Sequence, residues 1–326
     1  MKGTKVYVGI DLGGTNLKSA LFDEEFQMIA ERRVTAFSEA GSEAILQQIT
    51  ENIELLWAEN GVSAEENACV GIGIPGLLDH KTGVAFFAAN FKNWKDVPVA
   101  EQISARLGVP VFIDNDVRVN LYGEWLFGAG QERLNIVLLT LGTGLGAGIL
   151  LDGKVLYGAT SSAGEIGHMN MFRDGRPCNC GSCGCFGRYV SARGLCATFQ
   201  EKLQQGQDSI LSPRAEQDSA SITAQMIAEA FDKGDRVSIE AFRETGEIFG
   251  VGLANIINLY NPEMIIVGGG MANAKERLLK SARKTAERYA LKAPFAACSI
   301  VTAHLGDAAG LFGAAIMAKN RLYGNL

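Results

Sequence analysis

No apolar stretch of this chain reaches the roughly 18 residues that a membrane-spanning helix needs. Its opening, MKGTKVYVGIDLGGTN, has one short apolar run that ends at Asp11, without the longer apolar core of a secretory signal. A basic excess is also missing. Lys and Arg number 30 against 36 Asp and Glu, and the net charge of −6 disfavours non-specific attraction to nucleic acid or an anionic membrane. The phosphate-cradling sequence G-x-x-x-x-G-K-[ST] does not occur. The expectation from these absences is a cytoplasmic protein with neither a membrane nor a nucleic-acid partner. What is abundant is core material. Of 326 residues, 47 % are hydrophobic and 20 % charged, enough for about two domains at roughly 150 residues each.

The pattern of that material is α/β. Residues 6–10 are apolar and rich in β-branched side chains, a buried strand; DLGGTN follows as a turn and LKSALFD as a second strand, which together make a hairpin. The unit recurs. DLGGTNLKSALFD at 11–23 aligns without gaps to TLGTGLGAGILLD at 140–152, and both follow apolar runs. Glycine turns between strands are common, yet the shared Leu, Gly and closing Asp favour an internal duplication. Helices are expected at 41–60, where Ile45, Ile49, Ile53 and Leu56 recur at helical spacing behind Ser42 as N-cap. Others are expected in PVAEQISARLG, from 238 to about Tyr260, after the glycines of EMIIVGGG, and in the tail AAGLFGAAIMAKNRL. ACVGIGIPG, VPVFIDND and EMIIVGGG read as strands, and the polar residues 204–221 as a surface excursion. Continuously apolar strands alternating with helices imply sheets covered on both faces, here two sheets from two similar halves facing a cleft.

Three glycine loops follow strands, at 13–15, 142–148 and 268–270, where backbone N–H groups can approach a phosphate closely. The second contains G-x-G-x-x-A, but a dinucleotide fingerprint needs a helix next, and GAGILLDGKVL reads as strand and turn. Each loop alone could be only a tight turn. Three in a duplicated α/β chain favour a nucleotide with its phosphates gripped from two sides.

Four of the seven cysteines lie in CNCGSCGC at 178–185. In a reducing compartment clustered thiols are metal ligands or redox groups rather than a disulfide framework. Five candidates, His168, Cys178, Cys180, Cys183 and Cys185, compete for four coordination places. Cys69, Cys196 and Cys298 lie in apolar or helical surroundings and read as core residues.

GIDLGGTNLKSALFD, GIGIPG, DND, TLGTGLGAGI, GEIGH, CNCGSCGC and IIVGGG, in this order from Val6 to about Ala318, resemble the ROK family of sugar kinases and repressors. The resemblance implies two actin-like ATPase (ribonuclease H-like) domains with a nucleotide and sugar cleft between them. Their expected extents are 1–117 with 306–326, and 118–305. It implies ATP and Mg²⁺ at Asp11, Gly13, Gly14, Thr15 and Lys18, at Gly142, Thr143, Gly144 and Gly146, and at Gly268, Gly269 and Gly270, the last three toward adenosine. It implies Asp116 as catalytic base; from the residues alone, the spacing favours Asp116 as N-cap of the helix VRVNLYGEWLFG, and the resemblance reverses that reading. Asn90, Asn115, Asp116, Glu165 and His168 match sugar-contacting positions, although Asn90 also suits an ordinary turn. His168, Cys178, Cys180 and Cys185 match the family's structural Zn²⁺ ligands, a closed tetrahedral set that leaves Cys183 as a bystander and gives no open position for hydrolysis.

One position departs from the family pattern. Many members continue the cysteine motif as G-C-x-E-x-Y-x-S; here GCFGRYVS places Gly187 where a sugar-binding Glu is expected. The resemblance therefore implies a kinase acting on a hexose hydroxyl, O6, with glucose first. The alternatives are N-acetylmannosamine, fructose, allose, an amino sugar or a glycoside. A non-catalytic sugar sensor is a remoter reading, since Asp116 and both phosphate loops are kept. The repressors carry a DNA-binding segment ahead of the body, whereas the hairpin here begins at Val6, so DNA binding is not expected. A homodimer or homotetramer is the family's usual assembly.

Overall fold

The structure, a computed structural model, describes residues 5–88 and 91–325. Asn90 lies outside the described residues. The chain runs β1 (Val6–Leu12), β2 (Asn16–Phe22), β3 (Met28–Thr35), α1 (Ser42–Asn60), β4 (Asn67–Ile74), β5 (Leu77–Asp79), β6 (Val84–Phe87) and β7 (Lys95–Val97). It continues through α2 (Val99–Leu107), β8 (Val111–Asn115), α3 (Asp116–Leu126), β9 (Ile136–Leu141), β10 (Leu145–Leu151) and β11 (Lys154–Val155). Then come α4 (Gly187–Val190), α5 (Ala192–Gln204), α6 (Ser212–Gln217), α7 (Ala224–Asp232) and α8 (Arg236–Tyr260). The last part holds β12 (Met264–Gly268), α9 (Glu276–Tyr289), α10 (Lys292–Ala297), β13 (Ser299–Thr302) and α11 (Ala309–Leu322). Among the described residues no helix is long and apolar enough to cross a membrane.

Contacts divide the chain into two compact units: Met1–Arg133 with Gly148–Ala163 and His304–Leu326, and Leu134–Ala147 with Gly164–Ala303. The division falls after Arg133 rather than at 117/118 because α3 packs on α11 and belongs with it. Residues 148–163 join the first unit, where Tyr157 donates to Asp114 Oδ2.

The first unit holds a sheet of order β3-β2-β1-β4-β8, in which β1, β4 and β8 are parallel and β1-β2-β3 an antiparallel meander. The alternation of a strand sends Val8, Ile10, Val70, Ile72 and Ile113 to one face, where Ile45, Ile49, Ile53 and Leu56 of α1 and Ile103 of α2 cover them. Each such side chain contributes about 1.5–3 kcal/mol by leaving water. The other face carries Tyr7, Phe22 and Cys69 against Leu311, Ala315 and Ala318 of α11. Gly9 and Gly71 pair in register there, and a Cβ on either would run into α11 backbone, at the Leu311 and Ala314 carbonyls. The small residues of the tail helix fit this close approach, which Gly9 and Gly71 allow by presenting no side chain beneath it.

The second sheet has order β11-β10-β9-β12-β13, with β9, β12 and β13 parallel and the β10–β11 pair antiparallel. Its strand order repeats that of the first: a three-strand edge built on a glycine-turn hairpin, then two parallel strands. The duplication read in residues 11–23 and 140–152 appears here as topology.

Local corrections follow from backbone detail. Gly41, not Ser42, caps α1, with no side-chain bond. After the glycines a 3-10 turn, Gly270–Ala274, precedes α9, and Lys275 at φ 48° separates the two. The excursion at 204–221 carries α6, none of whose residues is buried. Cys69 is buried as expected, but Cys196 and Cys298 are only half-buried.

Candidate active site and metal centre

Asp11, Gly73 and Asp114 lie in register across β1, β4 and β8, at the carboxyl ends of three parallel strands, where α/β sheets bind ligands. Gly73 leaves the middle of this row without a side chain, and a Cβ there would press on Val119. The chain leaves β8 through Asn115 and turns into α3. Asn115, not Asp116, is the N-cap: its Oδ1 accepts from Val117 N–H at 3.0 Å and its Nδ2 donates to Gly76 O at 3.2 Å. The cap alternative for Asp116 is thereby removed. Asp116 is the first helical residue, and its Oδ1 accepts from Val117 N–H at 3.0 Å. Burial, and then the nearby Asp11 carboxylate, push its carboxyl up to about 6. Asp11 is itself pushed up by burial, against the opposing charge of Lys18. Lys18 Nζ stands 3.9 Å from Asp11 Oδ2 and 3.4 Å from the exposed Asp307.

The loop at 13–15 closes with Gly13 N–H donating to Asn16 O at 2.8 Å, so that amide is committed to the turn. In the second unit Gly142 N–H is likewise committed, to Gly144 O at 2.9 Å. Gly268 pairs with Thr140, which brings the loop at 142–146 and the glycines 268–270 to the same end of adjacent strands β9 and β12. Gly142, Gly144 and Gly270 each face open space where a Cβ would stand. Gly269 has φ 79°, and a Cβ there would strike Leu141 backbone, so only glycine fits. The sequence therefore brings two of its three glycine loops together in one unit, while the third belongs to the other.

Glu165 precedes a 3-10 turn, Ile166–His168, and both polar side chains are about half-exposed; His168 Nε2 is 4.0 Å from Glu165 Oε2. The other ring nitrogen, Nδ1, faces Cys178 Sγ at 3.8 Å. Cys180 and Cys185 Sγ are 3.7 Å apart, and the ligand atoms of His168, Cys178, Cys180 and Cys185 all lie within 4.8 Å of one another. A tetrahedron with bonds of about 2.0–2.3 Å has edges near 3.5–3.8 Å, so this donor set fits Zn²⁺. The loop is held by Cys178 N–H to Ser182 O at 2.8 Å and by Gly184 at φ 67°, where a Cβ would meet Phe172 O. Cys183 stands outside the four, donating to Arg173 O at 3.2 Å. A backbone N–H at Ser182 lowers the Cys180 thiol to about 7, while burial pushes Cys185 up to about 12. Gly187 opens α4 beside Gly167 and Leu145. A Cβ there would touch both at 3.4 Å, an ordinary contact, and its φ is not left-handed, so no local demand for glycine exists.

Sequence reasoning missed a buried charged cluster directly behind Asn115. Asp114 and Arg118 stand four residues apart across the β8–α3 junction, but Tyr157 and Arg321 come from two distant stretches, and no spacing joins them to that pair.

With this geometry in place, comparison with known proteins identifies the family. A sequence model of the ROK family matches residues 7–321, and the chain belongs to that family. It is similar to a glucokinase of Halalkalibacterium halodurans, 31 % identical over 316 residues, covering 97 % of this chain and 95 % of that one. Among solved structures it resembles a ROK family glucokinase from Streptomyces griseus in complex with glucose and AMPPNP. That match has TM-score 0.80 and 32 % identity, covering 97 % of this chain and 99 % of the other. A ROK family transcriptional regulator is also similar, with TM-score 0.87 and 27 % identity over 98 % of this chain and 79 % of the other. The fold is the actin-like ATPase fold of the ROK glucokinases.

Proposed function

We propose that the chain is a glucokinase, a sugar kinase that transfers the γ-phosphoryl group of ATP to O6 of glucose. The observation that supports this most is the placement of Asp11 and Asp116 at the carboxyl ends of the strands flanking β4, with the Asp116 carboxyl pushed up to about 6. A base with that affinity accepts a proton from a sugar hydroxyl and returns it to water near neutral pH. In the proposed step the hydroxyl oxygen bonds to the γ-phosphorus, the bond from that phosphorus to the ADP oxygen breaks, and the hydroxyl proton passes to Asp116. The rest is positioning and charge. Asn115, Glu165 and His168, with Asn90, are proposed to hold the sugar hydroxyls. Backbone at 13–15 and 142–146 and the Lys18 ammonium are proposed to take the phosphates, and residues 268–270 adenosine. Asp11 would hold Mg²⁺, which when bound neutralises phosphate charge. His168, Cys178, Cys180 and Cys185 would hold Zn²⁺, which when bound cross-links the loop and fixes the imidazole so that Nε2 points toward Glu165. The proposed setting is the cytoplasm, as a homodimer or homotetramer without nucleic acid; light scattering behind size exclusion tests the assembly.

A second reading rests on Gly187, where neither sterics nor backbone demands glycine. The family's expected carboxylate is missing next to the Glu165–His168 turn, and the substrate could be a hexose altered at C1 or C2, an N-acyl or amino sugar, a ketose or a glycoside. The test is ADP release with Mg²⁺-ATP over glucose, mannose, fructose, allose, glucosamine, N-acetylmannosamine, N-acetylglucosamine and cellobiose, alongside Asp116→Asn. Glucose dominant with an inactive variant supports the first reading; another sugar dominant supports the second. No sugar above background in folded protein overturns both.

A further inference from the structure

Asp114 is fully buried and none of its acceptor capacity is idle. Oδ1 accepts from Arg118 Nε at 2.6 Å and from Asn115 N–H at 2.7 Å. Oδ2 accepts from Tyr157 OH at 2.6 Å and from Arg321 Nη2. Arg321, near the end of α11, also donates to Ile113 O at 2.8 Å and to Tyr157 OH at 2.7 Å. Tyr157 shares its hydroxyl with Tyr122 at 3.1 Å and stacks on the His80 ring at 3.8 Å, and His80 Nδ1 meets Ser161 Oγ at 2.8 Å. Both guanidiniums are nearly enclosed, with side chains 5 % and 12 % exposed for Arg118 and Arg321.

As a stabilising device this is poor value, because well-packed apolar residues of the same volume hold a core as well as a buried ion triad does. Its geometry serves another end. The backbone is fastened at Ile113 O by Arg321 and at Asn115 N–H by Asp114, and the next two side chains are Asn115 and Asp116. We propose that Arg321 and Tyr157 are positioning residues for phosphoryl transfer: through Asp114 they fix the β8–α3 turn, so the C-terminal helix sets the direction in which Asn115 and Asp116 point. The inference rests on the reading of Asp116 as base. A misplacement of about 1 Å at such a turn lowers turnover on the order of 100-fold without removing any group that touches substrate.

The test separates orientation from stability. Arg321→Lys keeps the buried positive charge but loses the planar fork that reaches Ile113 O and Asp114 together. Tyr157→Phe removes one donor and keeps the ring on His80. Steady-state kinetics are read beside thermal melting, with Asp116→Asn as control. The expected result is kcat about tenfold or more lower in each variant, with KM for glucose and ATP within about threefold and melting within a few degrees of the parent. Wild-type kcat in both variants, a rise of KM alone, or a loss of kcat that disappears after correction for unfolded protein overturns the inference. An active Asp116→Asn overturns the base reading instead.

Discussion

Asp116 is held in a form the folded protein does not favour. Its carboxyl titrates near 6 when folded and at 3.8 ordinarily, so the folded state binds the extra proton between about pH 4 and 6. Stability from this group is fully present below about 4 and is lost as pH rises through 6. Asp116→Asn removes that penalty. The variant is expected to lose glucose phosphorylation by about 10²–10⁴-fold, the usual contribution of a general base. It is also expected to melt higher than the parent at pH 8, with the difference vanishing at pH 4. A variant that is inactive but no more stable at pH 8 would show that burial does not strain this carboxylate. Asp114, two residues away, behaves oppositely. Arg118 and Arg321 hold its carboxyl below the ordinary range despite burial, so its contribution is present above about 4 and is lost only in stronger acid. One strand end therefore carries two carboxylates whose surroundings push them apart, the arrangement that divides structural from chemical work.

At the scale of elements, glycine marks where helices touch strands. Gly9→Ala or Gly71→Ala drives a methyl into the α11 backbone and is expected to destabilise by about 1–3 kcal/mol or more, read as a lower denaturant midpoint. Gly187→Ala meets only ordinary contacts and is expected within about 0.5 kcal/mol of the parent, while Gly187→Glu is expected to shift the ratio of kcat/KM values in the sugar panel. A Gly187→Glu variant with unchanged ratios would separate that position from sugar choice. The glycine loops and the cysteine loop were legible because each is a local spacing in sequence, whereas the roles of Asp11 and Asp116 came only with the family resemblance. The helical ends were less so. Ser42 looked like a cap where Gly41 serves, and the turn at 270–274 was hidden inside what reads as one helix. Asp114 and Arg118 are four residues apart, but their union with Tyr157 and Arg321 was not legible, because topology brings those two in from distant segments where each looks like an ordinary solvated side chain. The metal loop offers its own check at this scale. One Zn²⁺ per chain is expected, and Cys178→Ser with Cys180→Ser is expected to abolish it and to lower the melting temperature. Retention of stoichiometric zinc in that double variant would mean that the ligands lie elsewhere.

Over the whole molecule, what needs explaining is that one fold relates this chain both to glucokinases and to a transcriptional regulator. Backbone similarity cannot separate the two, since function belongs to the site and not the fold. Charge can. Binding duplex DNA requires Lys and Arg to replace the counterions on several phosphates, and the affinity then falls steeply with salt. This chain has six more acids than bases, 36 against 30. It keeps a carboxylate poised near 6 at the end of a parallel sheet, a group a DNA reader has no need to strain. The expected outcome is glucose-dependent ADP release together with no retardation of duplex DNA at 150 mM salt, with or without sugar. Salt-sensitive DNA retardation accompanied by no turnover on any sugar would place the chain with the regulators. Turnover that survives loss of Asp116 would place the chemistry somewhere other than the carboxyl ends of β1, β4 and β8.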